Sequence, residues 1–171
     1  MSQGAEFTNI TLVNQNRRAW VMTAFTLTFR SADTPIPRNA VIEITYPDQI
    51  TSDQRFTGCL LSNKNPSTRC EFDPNKNFVT ISNVTDVQIE AGTVFTVTLY
   101  GLINSKFAKA TDSFEIEILT DTGNQVLYAR TGLSVTVDCD YPCLTCMGPS
   151  APNKCLTCDT QASEFALFLN N

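Results

Sequence analysis

Seven cysteines are the residues of this 171-residue chain whose type and spacing carry the most chemistry. Five crowd the last quarter as Cys139-x3-Cys143-x2-Cys146-x8-Cys155-x2-Cys158, and two, Cys59 and Cys70, flank a polar stretch in the body. Cysteines close disulfides, hold metals as thiolates, or act as nucleophiles. Histidine is absent, which removes Cys–His nucleophile pairs, His-based acid–base chemistry and mixed Cys/His metal sites. Cys59 and Cys70 read most simply as a disulfide closing residues 60–69, with two separate thiols as the alternative. The entropic model values so short a loop at roughly 3 kcal/mol before strain is deducted. Cys143, Cys146, Cys155 and Cys158 form two Cys-x2-Cys knuckles, the spacing of a structural zinc site, and four thiolates there would hold Zn²⁺ tetrahedrally. Against zinc stand the fifth cysteine, the extra pair in the body, and two N-glycosylation sequons at Asn9 (Asn9-Ile10-Thr11) and Asn83 (Asn83-Val84-Thr85). Sequons and cysteine density together point to an oxidising, extracellular or cell-surface setting.

Residues 139–158 read Cys-Asp-Tyr-Pro-Cys-Leu-Thr-Cys-Met-Gly-Pro-Ser-Ala-Pro-Asn-Lys-Cys-Leu-Thr-Cys. In their cysteines and in Gly148-Pro149 they resemble one furin-like, growth-factor-receptor-type cysteine-rich repeat, and surface proteins of ciliates are similar. The resemblance implies disulfides from first to third and second to fourth cysteine, here Cys139–Cys146 and Cys143–Cys155. Cys158 is then left for a partner beyond the module. The family usually continues with more cysteines, and this chain has none after Cys158. The expectation is a fragment of a longer surface protein or a Cys158 that pairs between subunits; a rearranged set of pairs is the other possibility. The preceding body resembles, more loosely, the Thr-rich β-domains beside such repeats.

Carboxylates are the other chemical resource, 17 of them against 12 lysines and arginines. Glu43, Glu115 and Glu117 fall on outward positions of alternating runs, a solvated face rather than a catalytic dyad. Asp121, Asp138 and Asp140 are turn and linker acids. No Gly-rich loop precedes a helix, and no spaced set of oxygen ligands forms a calcium loop. No enzyme and no cofactor are expected. A formal charge of −5 without a basic stripe excludes nucleic acid as a partner.

The elements that must position these residues are strands. Phe25, Leu27 and Phe29 alternate with polar residues, as do Ile42, Ile44 and Tyr46, then Phe95, Val97 and Leu99, then Phe114, Ile116 and Ile118. Shorter candidates are 10–13, 78–81, 125–128 and 133–137. Pro35, Pro37 and Pro47-Asp48 punctuate them, Asp73 to Asn77 reads as a turn, and Asp121 to Asn124 reads as a hairpin. No window of 10 or more residues has helical periodicity. Seven or eight one-faced strands predict an antiparallel β-sandwich, Ig-like or related, over residues 1–138, with a barrel as the alternative. Residues 139–158 form a small disulfide-rich module, and 159–171 a tail with a possible strand. Trp20 reads as core or strand-edge packing rather than a ligand platform. Residues 1–6 lack a signal peptide's basic and apolar regions, so the expectation is mature material with an added or reconstructed start, or a cytosolic protein in which the redox argument fails. No run approaches the roughly 20 apolar residues of a membrane span.

The expected function is structural: a building block of an extracellular filament or coat. Head-to-tail self-association would proceed by strand addition, with Asn9–Val13 and Phe165–Leu169 as candidate strands. Two alternatives are an adhesion module for glycan or protein, which exposed aromatics clustered at a loop end would favour, and a zinc-binding protein-interaction domain.

Overall fold

A computed structural model describes residues 5–6, 9–63, 65–140, 143–147 and 154–158. The segment Phe165–Leu169 lies outside them. The described residues form strands β1 (Ala5–Glu6), β2 (Asn9–Asn14), β3 (Met22–Arg30), β4 (Val41–Thr45), β5 (Thr51–Ser52), β6 (Gly58–Leu61) and β7 (Arg69–Asp73), followed by β8 (Phe78–Ser82), β9 (Val94–Ile103), β10 (Phe114–Leu119), β11 (Val126–Leu133), β12 (Cys143–Cys146) and β13 (Cys155–Cys158). Among them no helix is long and apolar enough to cross a membrane.

Two sheets face each other. One runs β1-β11-β10-β4-β8-β7; the other runs β2-β3-β9-β5, with β6 also paired to β9. All pairings in both are antiparallel except β1 with β11. Period-two alternation fixes the register, because a one-residue slip would turn every apolar side chain outward. Phe25, Leu27 and Phe29 from β3 and Phe95, Val97 and Leu99 from β9 are buried in one core with Ile42, Ile44, Phe114, Ile116 and Ile118 of the other sheet. The rings of Phe25 and Phe114 meet across the sandwich at 6.0 Å, tilted by 37°. The result is an all-β sandwich with a small disulfide-linked hairpin, β12–β13, after it.

Both turn expectations hold. Asp121 to Asn124 connects β10 to β11, with Gly123 at φ +67°. Asp73 to Asn77 connects β7 to β8, where the Asp73 carboxylate accepts the Asn75 amide at 3.0 Å. Two expectations change. The body contains eleven strands among the described residues rather than seven or eight. The additional ones are the two-residue β1 and β5 and the pair β6 and β7, which occupy the flanks of the stretch read as a polar loop. Conversely, residues 134–137 are not a strand. Their backbone groups find irregular partners instead: Thr111 donates to the Val135 carbonyl at 2.9 Å and Val137 to the Lys109 carbonyl at 3.1 Å. Val135 and Val137 are buried all the same.

Candidate functional site

Cys59 lies on β6 in one sheet, and Cys70 on β7 in the other. A disulfide joins them with their Cα atoms 6.1 Å apart, so the bridge ties the two sheets together at one side of the sandwich. In the C-terminal module, disulfides join Cys139 to Cys146 and Cys143 to Cys155, with Cα separations of 5.9 and 5.0 Å. Cys158 is the free cysteine, half-buried on β13 opposite Cys143. Of the four cysteines of the zinc alternative, Cys143, Cys146 and Cys155 are in disulfides here and Cys158 is the free one. The hairpin is closed further by Thr145 and Thr157, whose hydroxyls lie 2.7 Å apart.

The module is fastened to the body by the connection between β2 and β3. Arg18 sends one guanidinium nitrogen, Nη1, to the carbonyls of Cys139 at 2.9 Å and Cys143 at 3.0 Å. Arg17 and Asp138 form an ion pair at 3.2 Å, and the Asp138 amide donates to the Arg17 carbonyl at 2.7 Å. Beneath this connection sits a polar residue that the sequence did not single out. Asn104 is 1% exposed. Its side-chain nitrogen donates to the carbonyls of Asn16 at 2.6 Å and Arg18 at 2.8 Å, while its side-chain oxygen accepts from Asn14 at 3.1 Å. A buried amide must be satisfied in this way to avoid its desolvation cost.

The same connection carries Trp20, and here the packing expectation is overturned. Trp20 is 60% exposed and has φ +60°. A left-handed backbone costs an L-residue about 1–2 kcal/mol, and a ring this large gains little from staying in water. The turn is held by the Trp20 amide donating to the Ser105 carbonyl at 3.2 Å. Asn104 grips it on either side, through its side chain to the Arg18 carbonyl and through its backbone amide to the Val21 carbonyl at 3.0 Å. Trp20 borders a cavity of about 380 Å³ at the sandwich end, shared with Asp48, Thr51, Ser105, Lys106 and Phe107. One wall is braced by Gln49 and Asp112, which exchange two hydrogen bonds at 2.8 and 2.9 Å. Lys106 and Lys109 place their ammonium groups 5.2 and 5.6 Å from the Phe107 ring centre. The tyrosines are different: Tyr46 and Tyr128 are buried, and Tyr100 is partly exposed on β9.

The two outer faces of the sandwich differ in charge. Register places Thr11, Thr28 and Thr96 in one row across β2, β3 and β9, and Val13, Thr26, Thr98 and Leu60 in the next. Neither row contains a charge. The opposite sheet shows Glu43, Glu71, Glu115 and Glu117 on its outer face. Glu43 and Glu117 are directly opposed, and burial together with Glu117 raises the Glu43 pKa above the ordinary glutamate value.

Of the candidate donor strands, Asn9–Val13 is already used. It lies in β2, paired with β3 from Asn9↔Arg30 to Asn14↔Phe25. It is therefore an edge and not a free strand, and among the described residues only β3 pairs with it. At the sequons, Asn9 is exposed, whereas Asn83 is half-buried with its amide donating to the Ser67 carbonyl at 3.2 Å. Among the described residues no group of three or more His, Cys, Asp or Glu gathers as a metal site.

No family model and no curated protein matches the chain. Several solved structures are similar to it at low identity. The collagen-binding domain of a Staphylococcus aureus adhesin is 9% identical over 78% of this chain and 99% of that one, with a TM-score of 0.45. Domains D2 and D3 of the major pilin SpaD from Corynebacterium diphtheriae are 7% identical over 74% of this chain and 50% of that one, at 0.48. A cohesin module from Clostridium perfringens is 14% identical over 78% and 98%, at 0.48.

Proposed function

We propose that the chain is an extracellular structural module, without catalytic activity, that assembles head to tail with copies of itself. The observation that carries this reading is the pair of uncharged rows, bordered by Arg30, on the β2-β3-β9 sheet, with β2 at its edge among the described residues, on a molecule of formal charge −5. An open edge presents unpaired backbone groups to an incoming strand. Phe165-Ala166-Leu167-Phe168-Leu169 is uncharged, apolar and the length of a strand, so it is the segment we assign to the β2 edge of a neighbour. Donor and acceptor then lie at different places on one chain, and the contact propagates instead of closing. Three disulfides support the extracellular setting. The Cys139–Cys146 and Cys143–Cys155 pairing supports reading residues 139–158 as a furin-like repeat, with Cys158 free for a partner outside the module.

Sedimentation velocity of the oxidised chain tests the assembly. Concentration-dependent growth is expected, with loss of it in Leu167→Lys and in Val13→Lys. A monomer at all concentrations, or assembly untouched by both variants, would overturn the reading. The second reading, an adhesion module, is favoured by a separate observation: Trp20 and Phe107 cluster at a loop end around one cavity.

A further inference from the structure

We infer that the Trp20–Phe107 cavity is a binding site for a neutral saccharide. The inference deepens the adhesion reading by naming its ligand class and rests on that reading.

Folding does not account for Trp20. Its ring is 60% exposed, and its backbone sits where Asn or Gly is better suited. The turn around it is nonetheless fixed, by the Ser105 carbonyl, by Asn104 and by the Arg18 bonds to the cysteine module. An aromatic surface is thus held out on a rigid support beside a cavity of about 380 Å³, a volume within the range of small-ligand sites. A pyranose presents an apolar C–H face to an aromatic ring and a rim of hydroxyls that both donate and accept. The cavity answers both: Trp20 and Phe107 supply aromatic surface, Asp48 accepts, Lys106 donates, and Thr51 does either.

Charge selects against the other occupants. The lining carries one carboxylate, Asp48, and one ammonium, Lys106, so it has no net charge to select an anion or a cation as such. A cationic ligand also meets Phe107 already attended by Lys106 and Lys109. An apolar peptide side chain would use the rings, but it would strip water from Asp48 and Lys106 and replace none of those hydrogen bonds.

Trp20 is the chain's single tryptophan, so its fluorescence reports the site directly. The oxidised full-length chain is titrated with cellohexaose, maltohexaose and mannohexaose, and in parallel with hexagalacturonate and a hexaproline peptide. A saturable emission change with at least one neutral hexasaccharide is expected, with little response to the acidic sugar or the peptide. Calorimetry should show affinity at least ten-fold weaker in Trp20→Asn and at least three-fold weaker in Lys106→Ala. Thermal unfolding of Trp20→Asn should match or exceed the parent, since Asn tolerates positive φ. Silence of all five probes overturns the inference and the adhesion reading together. Stronger binding of hexagalacturonate or hexaproline overturns the saccharide assignment alone, as does saccharide binding that survives in both variants.

Discussion

Single residues in this molecule divide into those that alternate and those that do not, and the second group holds the functional surprises. Alternation exposes the core directly: Phe25, Ile44, Val97 and Ile116 each lie where period two puts them. Trp20 and Asn104 fall outside any run, so their environments depend on which loops the topology brings together. Nothing local to Leu102-Ile103-Asn104 announces a buried amide serving Asn16 and Arg18, because those partners are distant in sequence. Glu43 shows the limit from another side. Its outward position is legible, but its opposition to Glu117 needs the β4–β10 register. Like charges opposed across strands destabilise a sheet. A raised folded-state pKa makes Glu43 bind its proton more readily in the native chain than in the unfolded one. Its contribution is therefore fully favourable below the unfolded value and is lost as pH rises through the higher folded value. Glu117→Gln should raise stability at pH 7 by roughly 0.2–1 kcal/mol and reduce the decline that sets in as pH rises above the ordinary glutamate range. Urea denaturation from that range up to pH 7 is the measurement; equal slopes in parent and variant would exclude the pair as the cause.

At the level of elements, long strands with one apolar face were legible, and short flank strands were not. β6 and β7 frame a polar, Asn- and Ser-rich stretch, and the composition of that stretch hides the pairing on either side. Cys70 and Phe72 do alternate with Arg69, Glu71 and Asp73, a signal of five residues that the adjoining turn obscures. Periodicity misleads in the opposite sense at 134–137. There Val135 and Val137 keep the alternation of a strand, but the segment makes only isolated bridges and no neighbour completes a ladder. The Cys59–Cys70 bridge changes meaning accordingly. It closes a short loop in sequence, yet it also fastens β6 of one sheet to β7 of the other. Replacing both cysteines by alanine should cost about 2–3 kcal/mol, lowering the melting temperature by roughly 4–12 °C. Calorimetry of the double variant tests this. A loss confined to the β6–β7 region in amide exchange, with the β3–β9 pair unaffected, is the expected pattern.

For the whole molecule, the decisive property is asymmetry between its two broad faces. One carries Glu43, Glu71, Glu115 and Glu117; the other presents threonine-rich rows bordered by Arg30, with β2 at its edge among the described residues. Copies of formal charge −5 repel at long range. Contact through the uncharged Thr11–Thr28–Thr96 and Val13–Thr26–Thr98 rows gains nothing from ion pairs, so salt should strengthen association by screening that repulsion. Sedimentation equilibrium from about 20 mM to about 500 mM salt should show tighter assembly as salt rises. Weakening would identify a charged interface instead.

The Arg18 attachment has an environmental consequence. Backbone carbonyls accept hydrogen bonds and do not titrate. The acceptors of the two bonds from Arg18 to Cys139 and Cys143 are main-chain carbonyls, and a change of acidity leaves them as they are. In water of changing acidity the acceptors that hold this joint stay constant, and the module keeps its seat on the sandwich.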